Sequence, residues 1–355
     1  MNEILDERRG MPSASNSGRY EACPASHELS KPFKNEGSAA AQDGTDCHTY
    51  MEGGEVDLRP ELLSLCREAE AQRSEVLSFM FEDWEENPPE VVTENRIWYP
   101  GNRYSGVPDL LAFKGGQCLC IDYKFGRIAV PHAKDNKQLK WLAALIDRKY
   151  SVTSVTVCII QPSAGGFTMH TYDKAALKKA RASVLRTLRK MEDGKTAPKA
   201  GDHCKYCPAR VACPAAAKQV RALASVNKVE ALSADQMSQT LDMLDSVEST
   251  VRAIRKRATE MLKDDADAIP GYTLKRASSR RSIADAAAAY HTLKREGLAT
   301  EGQFLEACSI GVSKVQKMVQ SGADVGPAEA ARMVNTLLNG NISFKEGEPK
   351  PCRVE

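Results

Sequence analysis

Two aspartates and a lysine in the stretch GVPDLLAFKGGQCLCIDYKFG are the side chains whose spacing best suits joint chemistry. The dipeptide Gly115-Gly116 separates two apolar runs, which is a strong signal for a two-residue hairpin turn. A hairpin centred on this dipeptide sets Asp109 opposite Asp122, with Cβ atoms about 4.5–5.5 Å apart. Lys124 lies two residues beyond Asp122, so its side chain is predicted to point to the same face of the sheet.

This arrangement predicts a metal site. Two carboxylates that face each other in a sheet repel unless a cation neutralises them, and hard oxygen ligands favour Mg²⁺ or Mn²⁺. Such a metal lowers the pKa of a bound water and stabilises negative charge on a phosphodiester that is being cleaved. We expect Lys124 to orient that water or to carry part of the charge. The alternative is that Asp109 and Asp122 are solvated ends of two unrelated strands.

A second set of candidate ligands is formed by four of the chain's 11 cysteines. Cys204, Cys207 and Cys213 follow a C-x2-C-x5-C spacing, and Cys23, in EACPAS, is the candidate for a fourth ligand. In a reducing compartment, clustered cysteines are more often metal ligands than disulfides. The remaining cysteines are scattered, and we expect them to be small buried residues or free thiols.

Composition limits the class of protein. The 355 residues suffice for one large domain or two ordinary ones, and 42% hydrophobic with 27% charged residues is typical of a soluble globular chain. Lys and Arg number 49 against 47 acidic residues, so any contact with nucleic acid must come from local basic patches. The charged start resembles no signal peptide, and no run approaches a membrane span of about 18 apolar residues. We therefore expect a cytoplasmic protein.

The pattern of elements predicts an α/β fold, a mixed sheet flanked by helices, followed by a mainly helical region. A helix, three strands, a helix and a strand are predicted at 60–86, 91–99, 106–113, 117–124, 133–149 and 152–161. We expect a first domain at 1–222, a helical accessory domain at 223–345 and a disordered tail at 346–355. The basic stretch KRASSRR at 275–281 could track a phosphate backbone or be a solvated loop.

The segments VPD and IDYK resemble the PD-(D/E)XK nuclease motif, and more narrowly its RecB-type branch. GTDCHTYME resembles the G-T-x-x-H-x-x-x-E helix upstream of that catalytic core. The resemblance implies a restriction-endonuclease-like sheet, a DNA substrate, and catalysis by Asp109, Asp122, Lys124 and His48. It places His48 with the two aspartates at the Mg²⁺ or Mn²⁺ site, and Glu94 where relatives often carry a further carboxylate.

One departure from the family pattern concerns DNA contact. Relatives carry Q-x-x-x-Y on the helix after the third strand, whereas here Gln138 is followed four residues later by Leu142. The resemblance implies that Gln138 contacts DNA. We expect Lys140 or Trp141 to substitute for the missing tyrosine.

The cysteine spacing resembles the [4Fe–4S] arrangement of iron–sulfur RecB-type nucleases, which include AddB and CRISPR-associated relatives. There the cluster ties the early chain to the end of the nuclease fold, which here would join Cys23 to Cys204, Cys207 and Cys213. Zinc is the alternative, since four thiolates suit both metals. His203 is not expected to be a ligand.

The resemblance implies a metal-dependent deoxyribonuclease, an exonuclease acting in phage or prophage recombination or repair. Its partner would be a single-strand annealing protein or a helicase. Two alternatives stay open. One is a structure-directed or site-directed endonuclease, and the other is a catalytically idle DNA-binding or assembly protein on the same fold. The complete set of Asp109, Asp122 and Lys124 argues against the idle form.

Overall fold

The computed structural model describes residues 8, 10–33, 39–93, 95–224, 232–274, 286–295, 298, 300–308, 311–323 and 325–338. Three predictions concern residues outside these ranges: Glu94, the basic stretch at 275–281 and the tail at 346–355. No described helix is both long enough and apolar enough to cross a membrane.

The core is a five-stranded mixed sheet formed by β1 (Glu90–Thr93), β4 (Leu110–Lys114), β5 (Gln117–Tyr123), β6 (Ser154–Gln161) and β7 (Gly166–Tyr172), and a separate pair is formed by β2 (Ile97–Trp98) and β3 (Ser105–Gly106). The strand order in the sheet is β1-β4-β5-β6-β7. Strands β5 and β6 are parallel, and the other neighbours are antiparallel. The predicted mixed sheet is confirmed.

Helices cover both faces of the sheet. In the first compact unit they are α1 (Ser17–Ala22), α2 (Ser26–Ser30), α3 (Ala39–Met51), α4 (Pro60–Met80), α5 (Lys137–Lys149), α6 (Lys174–Glu192), α7 (Pro214–Ala224) and α8 (Ala234–Asp264). Apolar side chains of α5 and α6 form one core with Leu111, Cys118 and Cys120 of the sheet. Those of α3 and α4 form another with Leu110, Ala112 and Leu119. The alternation along β4 and β5 therefore assigns each residue to one face.

The hairpin between β4 and β5 has the predicted register, because Leu110 pairs with Ile121 and Lys114 with Gln117. Gly115 and Gly116 have φ values of 58° and 78°, the positive values that a type I′ turn requires at both central positions. The register places Asp109 and Asp122 at facing positions at the open end of the hairpin.

The predictions of continuous strands at 91–99 and 106–113 are wrong, because each range is divided between two shorter strands. Residues 97–98 leave the main sheet and pair with 105–106. Pro108 has no N–H to donate to a ladder, and it separates β3 from β4. Gly106 lies close to α5, since a Cβ atom built on it would be 2.6 Å from Cδ2 of Leu142.

The chain forms two compact units, Met1–Leu274 and Lys275–Glu355, and the second contains α9 (Ala286–Arg295), α10 (Glu301–Ala307), α11 (Val312–Ala323) and α12 (Pro327–Leu337). The predicted helical C-terminal region is confirmed. Residues 204–213, which contain Cys204, Cys207 and Cys213, are called the cysteine segment below. The boundary between the compact units falls later than residue 222 because α8 packs against this segment, where Lys205 forms an ion pair with Asp245. The division into nuclease and accessory domains stays a prediction.

Candidate active site

Asp122 is the last residue but one of β5, at the end of the strand away from the turn, and only 1% of its surface is exposed. Its Oδ1 atom accepts a hydrogen bond of 2.6 Å from Nε2 of Gln138, at the start of α5. Its Oδ2 atom lies 2.5 Å from Nζ of Lys124 in a charge-assisted ion pair. A buried carboxylate needs such partners, because an unpaired buried charge costs several kcal/mol.

Lys124 follows β5, and its backbone N–H donates to the carbonyl of Ile160. Burial lowers the pKa of its ammonium, but the charges of Asp122 and Asp109 outweigh that effect, so the pKa of Lys124 is raised. The side chain therefore carries a positive charge beside both carboxylates at neutral pH.

Asp109 stands just before β4, where its Oδ2 atom accepts a hydrogen bond of 2.7 Å from the backbone N–H of Tyr123. The Nδ1 atom of His48 is 3.5 Å from the same oxygen. His48 comes from α3, on the opposite face of the sheet from α5. The site thus forms where the open end of the hairpin meets helices from both faces.

His48 is held against the aromatic side chains of Tyr123 and Phe125, with ring centroids 6.5 Å and 5.6 Å away. Burial and the nearby charge of Lys124 lower the pKa of His48. The imidazole is therefore neutral at neutral pH, which is the form that ligates metals.

A small cavity of about 10 Å³ opens beside these groups, and its lining includes His48, Glu52 and Asp109. That volume is about what one water molecule needs. Glu52 lies one helical turn after His48, as the G-T-x-x-H-x-x-x-E resemblance implies. The cavity therefore places two carboxylates and an imidazole, all possible metal ligands, around a space large enough for one water molecule.

The donors fit a hard divalent cation in kind, since Asp109 and Asp122 are carboxylates and His48 is neutral. Within the part of the chain that the structure describes, however, no three His, Cys, Asp or Glu side chains are close enough together to hold a metal ion. Asp122 is engaged by Lys124 and Gln138, and Asp109 by Tyr123 and His48. Assignment of these residues as metal ligands stays a prediction.

Of the two residues expected to replace the tyrosine in DNA contact, Trp141 is contradicted by the structure, and Lys140, whose side chain is 19% exposed, stays a prediction. The side chain of Trp141 is fully buried, and its Nε1–H donates a hydrogen bond of 2.8 Å to Oε1 of Glu21. Lys140 donates to the same carboxylate, with Nζ 2.8 Å from Oε2. Both residues therefore fix α5 to α1. Gln138 lies against Asp122, and its contact with DNA stays a prediction.

Glu21 and Gln161 hold segments beside the candidate site in place, and the sequence alone does not predict either role. Buried Gln161 ends β6 and donates hydrogen bonds of 2.8 Å to the carbonyls of Gly126 and Ile128, so it orders the loop after Lys124. A polar residue that ends the apolar run VTVCIIQ was the available signal. Glu21 had no comparable signal, since its partners on α5 are more than a hundred residues away.

The four predicted cysteine ligands are all buried: Cys23, Cys204, Cys207 and Cys213. Cys23 accepts from the backbone N–H of Lys199 at 3.4 Å, and Cys207 lies 3.8 Å from Nη1 of Arg19 on α1. Hydrogen bonds with Cys204 and Cys23 raise the pKa of His203 to about 10. Helix α1 thus contacts the cysteine segment, but among the described residues the thiols do not form a metal-holding group.

Comparison with known proteins yields one family. The model of the family described as "Protein of unknown function (DUF2800)" matches residues 11–77 and 68–350. The chain belongs to the DUF2800 family. A search of curated proteins found no significant match.

Two solved structures are similar to this DUF2800 chain. One is an alkaline exonuclease from Laribacter hongkongensis, with 14% identity over 52% of this chain and 90% of that chain and a TM-score of 0.28. The other is a phage-related exonuclease from Haemophilus somnus 129PT, with 11% identity over 52% and 93% and a TM-score of 0.26. Similarity at these TM-scores is too low to support an inference about this chain.

Proposed function

We propose that this chain is a divalent-metal-dependent deoxyribonuclease. The observation that carries the proposal is the juxtaposition on one hairpin of a buried carboxylate, Asp122, with an ammonium, Lys124, and a facing carboxylate, Asp109. A buried carboxylate paired with a half-buried lysine at a strand end is costly to keep, which favours a functional site over a purely structural one.

Asp109, Asp122 and His48 would hold Mg²⁺ or Mn²⁺, which would supply a nucleophilic water and stabilise charge on the cleaved phosphodiester. Gln138 orients the carboxylate of Asp122 by donating to Oδ1, so that Oδ2 faces the site. Lys124 holds its proton, so it can neutralise negative charge on the scissile phosphate but cannot act as a base. Tyr123 fixes Asp109 through its backbone N–H.

The proposal extends to an exonuclease of restriction-endonuclease-like fold that works in phage or prophage DNA recombination or repair, with an annealing protein or helicase as partner. The resemblance of VPD, IDYK and GTDCHTYME to RecB-type nucleases supports it. We also propose that Cys23, Cys204, Cys207 and Cys213 hold a [4Fe–4S] cluster, with zinc as the alternative. The burial of all four thiols and the contact of α1 with the cysteine segment support this.

The experiment is incubation of anaerobically purified protein with Mg²⁺ or Mn²⁺ and two substrates, end-labelled linear duplex DNA and covalently closed circular DNA. We expect the linear DNA to be degraded to short products, the closed circle to stay intact, and EDTA to abolish cleavage. Nicking of the closed circle would favour the endonuclease alternative. Absence of cleavage of either substrate with either metal would contradict the proposed function.

A further inference from the structure

Helix α6 carries a row of basic side chains on its outer surface. Lys178, Lys179, Arg186, Arg189 and Lys190 are all exposed. At 100° per residue these five fall within an arc of about 120° around the helix axis. The buried side chains of the helix lie on the opposite side: Leu177, Ala180, Val184, Leu188 and Met191. We call the exposed row the α6 basic face.

The positive charge of the α6 basic face is uncompensated within the described chain. The nearby acidic residue Asp147 pairs with Lys174 and Arg181, which lie outside the row. Among the described residues, no carboxylate is within ion-pair distance of Lys178, Arg186 or Arg189. Like charges on one helix face destabilise the helix when neighbours are three or four residues apart. The chain as a whole carries a net charge of only +2, so this face is a local concentration of positive charge.

The C-terminal end of the α6 basic face lies at the same end of the molecule's helical layer as the candidate active site. Helices α5 and α6 are antiparallel, because Asp147 near the end of α5 pairs with Arg181 in the first half of α6. At the other end of α6, Glu192 accepts two hydrogen bonds from Arg103. The next residue, Tyr104, packs its ring against Trp141, which lies in the first half of α5. The C-terminal end of α6 therefore lies at the same end of the layer as Gln138 and Asp122.

We propose that the α6 basic face binds the phosphate backbone of duplex DNA beyond the cleavage site. From Lys178 to Lys190 the helix extends about 18 Å, at 1.5 Å per residue, which matches about five phosphates of one strand. The inference rests on the proposed nuclease function, because the site at Asp122 defines why DNA would lie at this end of the molecule. Phosphate contacts of this kind hold and position DNA without reading its sequence.

An anionic membrane is the other polyanion to consider. A membrane-surface helix inserts its apolar face among the lipids. The apolar face of α6 is buried in the protein core, and residues 174–192 contain none of the large exposed hydrophobic side chains of the described chain. The geometry therefore favours DNA over a lipid surface.

The test compares two triple variants that remove the same charge. One is Lys178→Gln/Arg186→Gln/Arg189→Gln on the α6 basic face, and the other is Arg252→Gln/Arg255→Gln/Lys263→Gln on the exposed surface of α8. Glutamine is a good helix former, so both variants should fold. Binding of a fluorescent 30-base-pair duplex is measured by anisotropy at several salt concentrations, in EDTA so that no DNA is cleaved.

We expect the α6 variant to bind roughly ten- to a hundredfold more weakly and the slope of log affinity against log salt to fall by about two to three. The α8 variant should resemble wild type. With Mn²⁺, the α6 variant should show a raised KM on long DNA and an unchanged kcat. Equal affinity and salt dependence for wild type and the α6 variant would overturn the inference and leave the nuclease proposal standing.

Two further outcomes separate the proposals. If wild type binds the duplex through the α6 basic face yet cleaves nothing, the nuclease proposal fails, and the DNA-binding role of the α6 basic face is supported. Vesicles of phosphatidylserine and phosphatidylcholine form the third arm of the experiment. Loss of vesicle binding in the α6 variant with unchanged duplex affinity would assign the face to membranes and overturn the inference.

Discussion

The carboxylate of Glu21 is expected to be a major stabilising group of the first compact unit. It accepts one hydrogen bond from the fully buried indole N–H of Trp141 and pairs with Lys140, whose side chain is 19% exposed. Glu21→Ala leaves a buried N–H without an acceptor, which costs about 1–3 kcal/mol. Loss of the partly screened ion pair adds roughly 1 kcal/mol. We therefore expect the free energy of unfolding to fall by about 2–4 kcal/mol.

The assay is urea unfolding followed by far-UV circular dichroism under anaerobic conditions. Glu21→Gln keeps an acceptor for the indole and loses only the charge, so its loss should be about 1 kcal/mol. Glu28→Ala is the matched control, because Glu28 lies in the same segment and pairs with exposed Lys31. Its effect should stay below about 0.5 kcal/mol. A Glu21→Ala protein as stable as Glu28→Ala would show that the Glu21 carboxylate contributes no more to stability than an exposed ion pair.

Three further changes test packing, positioning and the cysteine cluster. Gly106→Ala should lower the free energy of unfolding by about 1–3 kcal/mol, since the new Cβ would be 2.6 Å from Leu142. Gln138→Ala should reduce Mn²⁺ affinity and cleavage by about 10–100-fold, because Asp122 loses the donor that orients it. Cys23→Ala should lose its iron, expected at about four atoms per chain, and melt at a lower temperature.

Each of these has a matched control. Gly126→Ala adds a Cβ with nothing within 4 Å and should leave stability within about 0.5 kcal/mol of wild type. Lys137→Ala, at the exposed neighbour of Gln138, should keep full Mn²⁺ affinity. Cys47→Ala should keep its iron, because Cys47 lies beside Cys66 and not in the cysteine segment. A Cys23→Ala protein with full iron and an unchanged melting temperature would place the fourth ligand elsewhere, and zinc without iron would favour the zinc alternative.

The hairpin could be predicted because its information is local. Gly115-Gly116 fixes the turn type, the turn fixes the register, and the register sets Asp109 opposite Asp122. Apolar alternation then assigns faces, which is why Lys124 was expected beside Asp122. In the same way, the single segment GTDCHTYME carries the helix that brings His48 to the site.

What could not be predicted depends on contacts distant in sequence. Nothing in the residues around Trp141 indicates that its indole N–H donates to Glu21 in the core. The sequence therefore predicts a DNA contact for a residue that is buried. The separation of β2 from the main sheet follows from Pro108 and from the close approach of Gly106 to α5. Both features appear only when α1, α5 and the strands pack together, because they reflect complementary shapes and not local propensity.

Two lysines at opposite ends of the β4–β5 hairpin distinguish a catalytic site at its open end from an ordinary strand end. Lys124 pairs with Asp122 at the site, whereas Lys114 pairs with Asp83 at the turn. The measurement is the single-turnover rate of cleavage of end-labelled linear DNA with Mn²⁺ by Lys124→Met and Lys114→Met. We predict that Lys124→Met loses about 10²–10³-fold or more in rate and that Lys114→Met cleaves like wild type. Equal rates for the two variants would contradict the account.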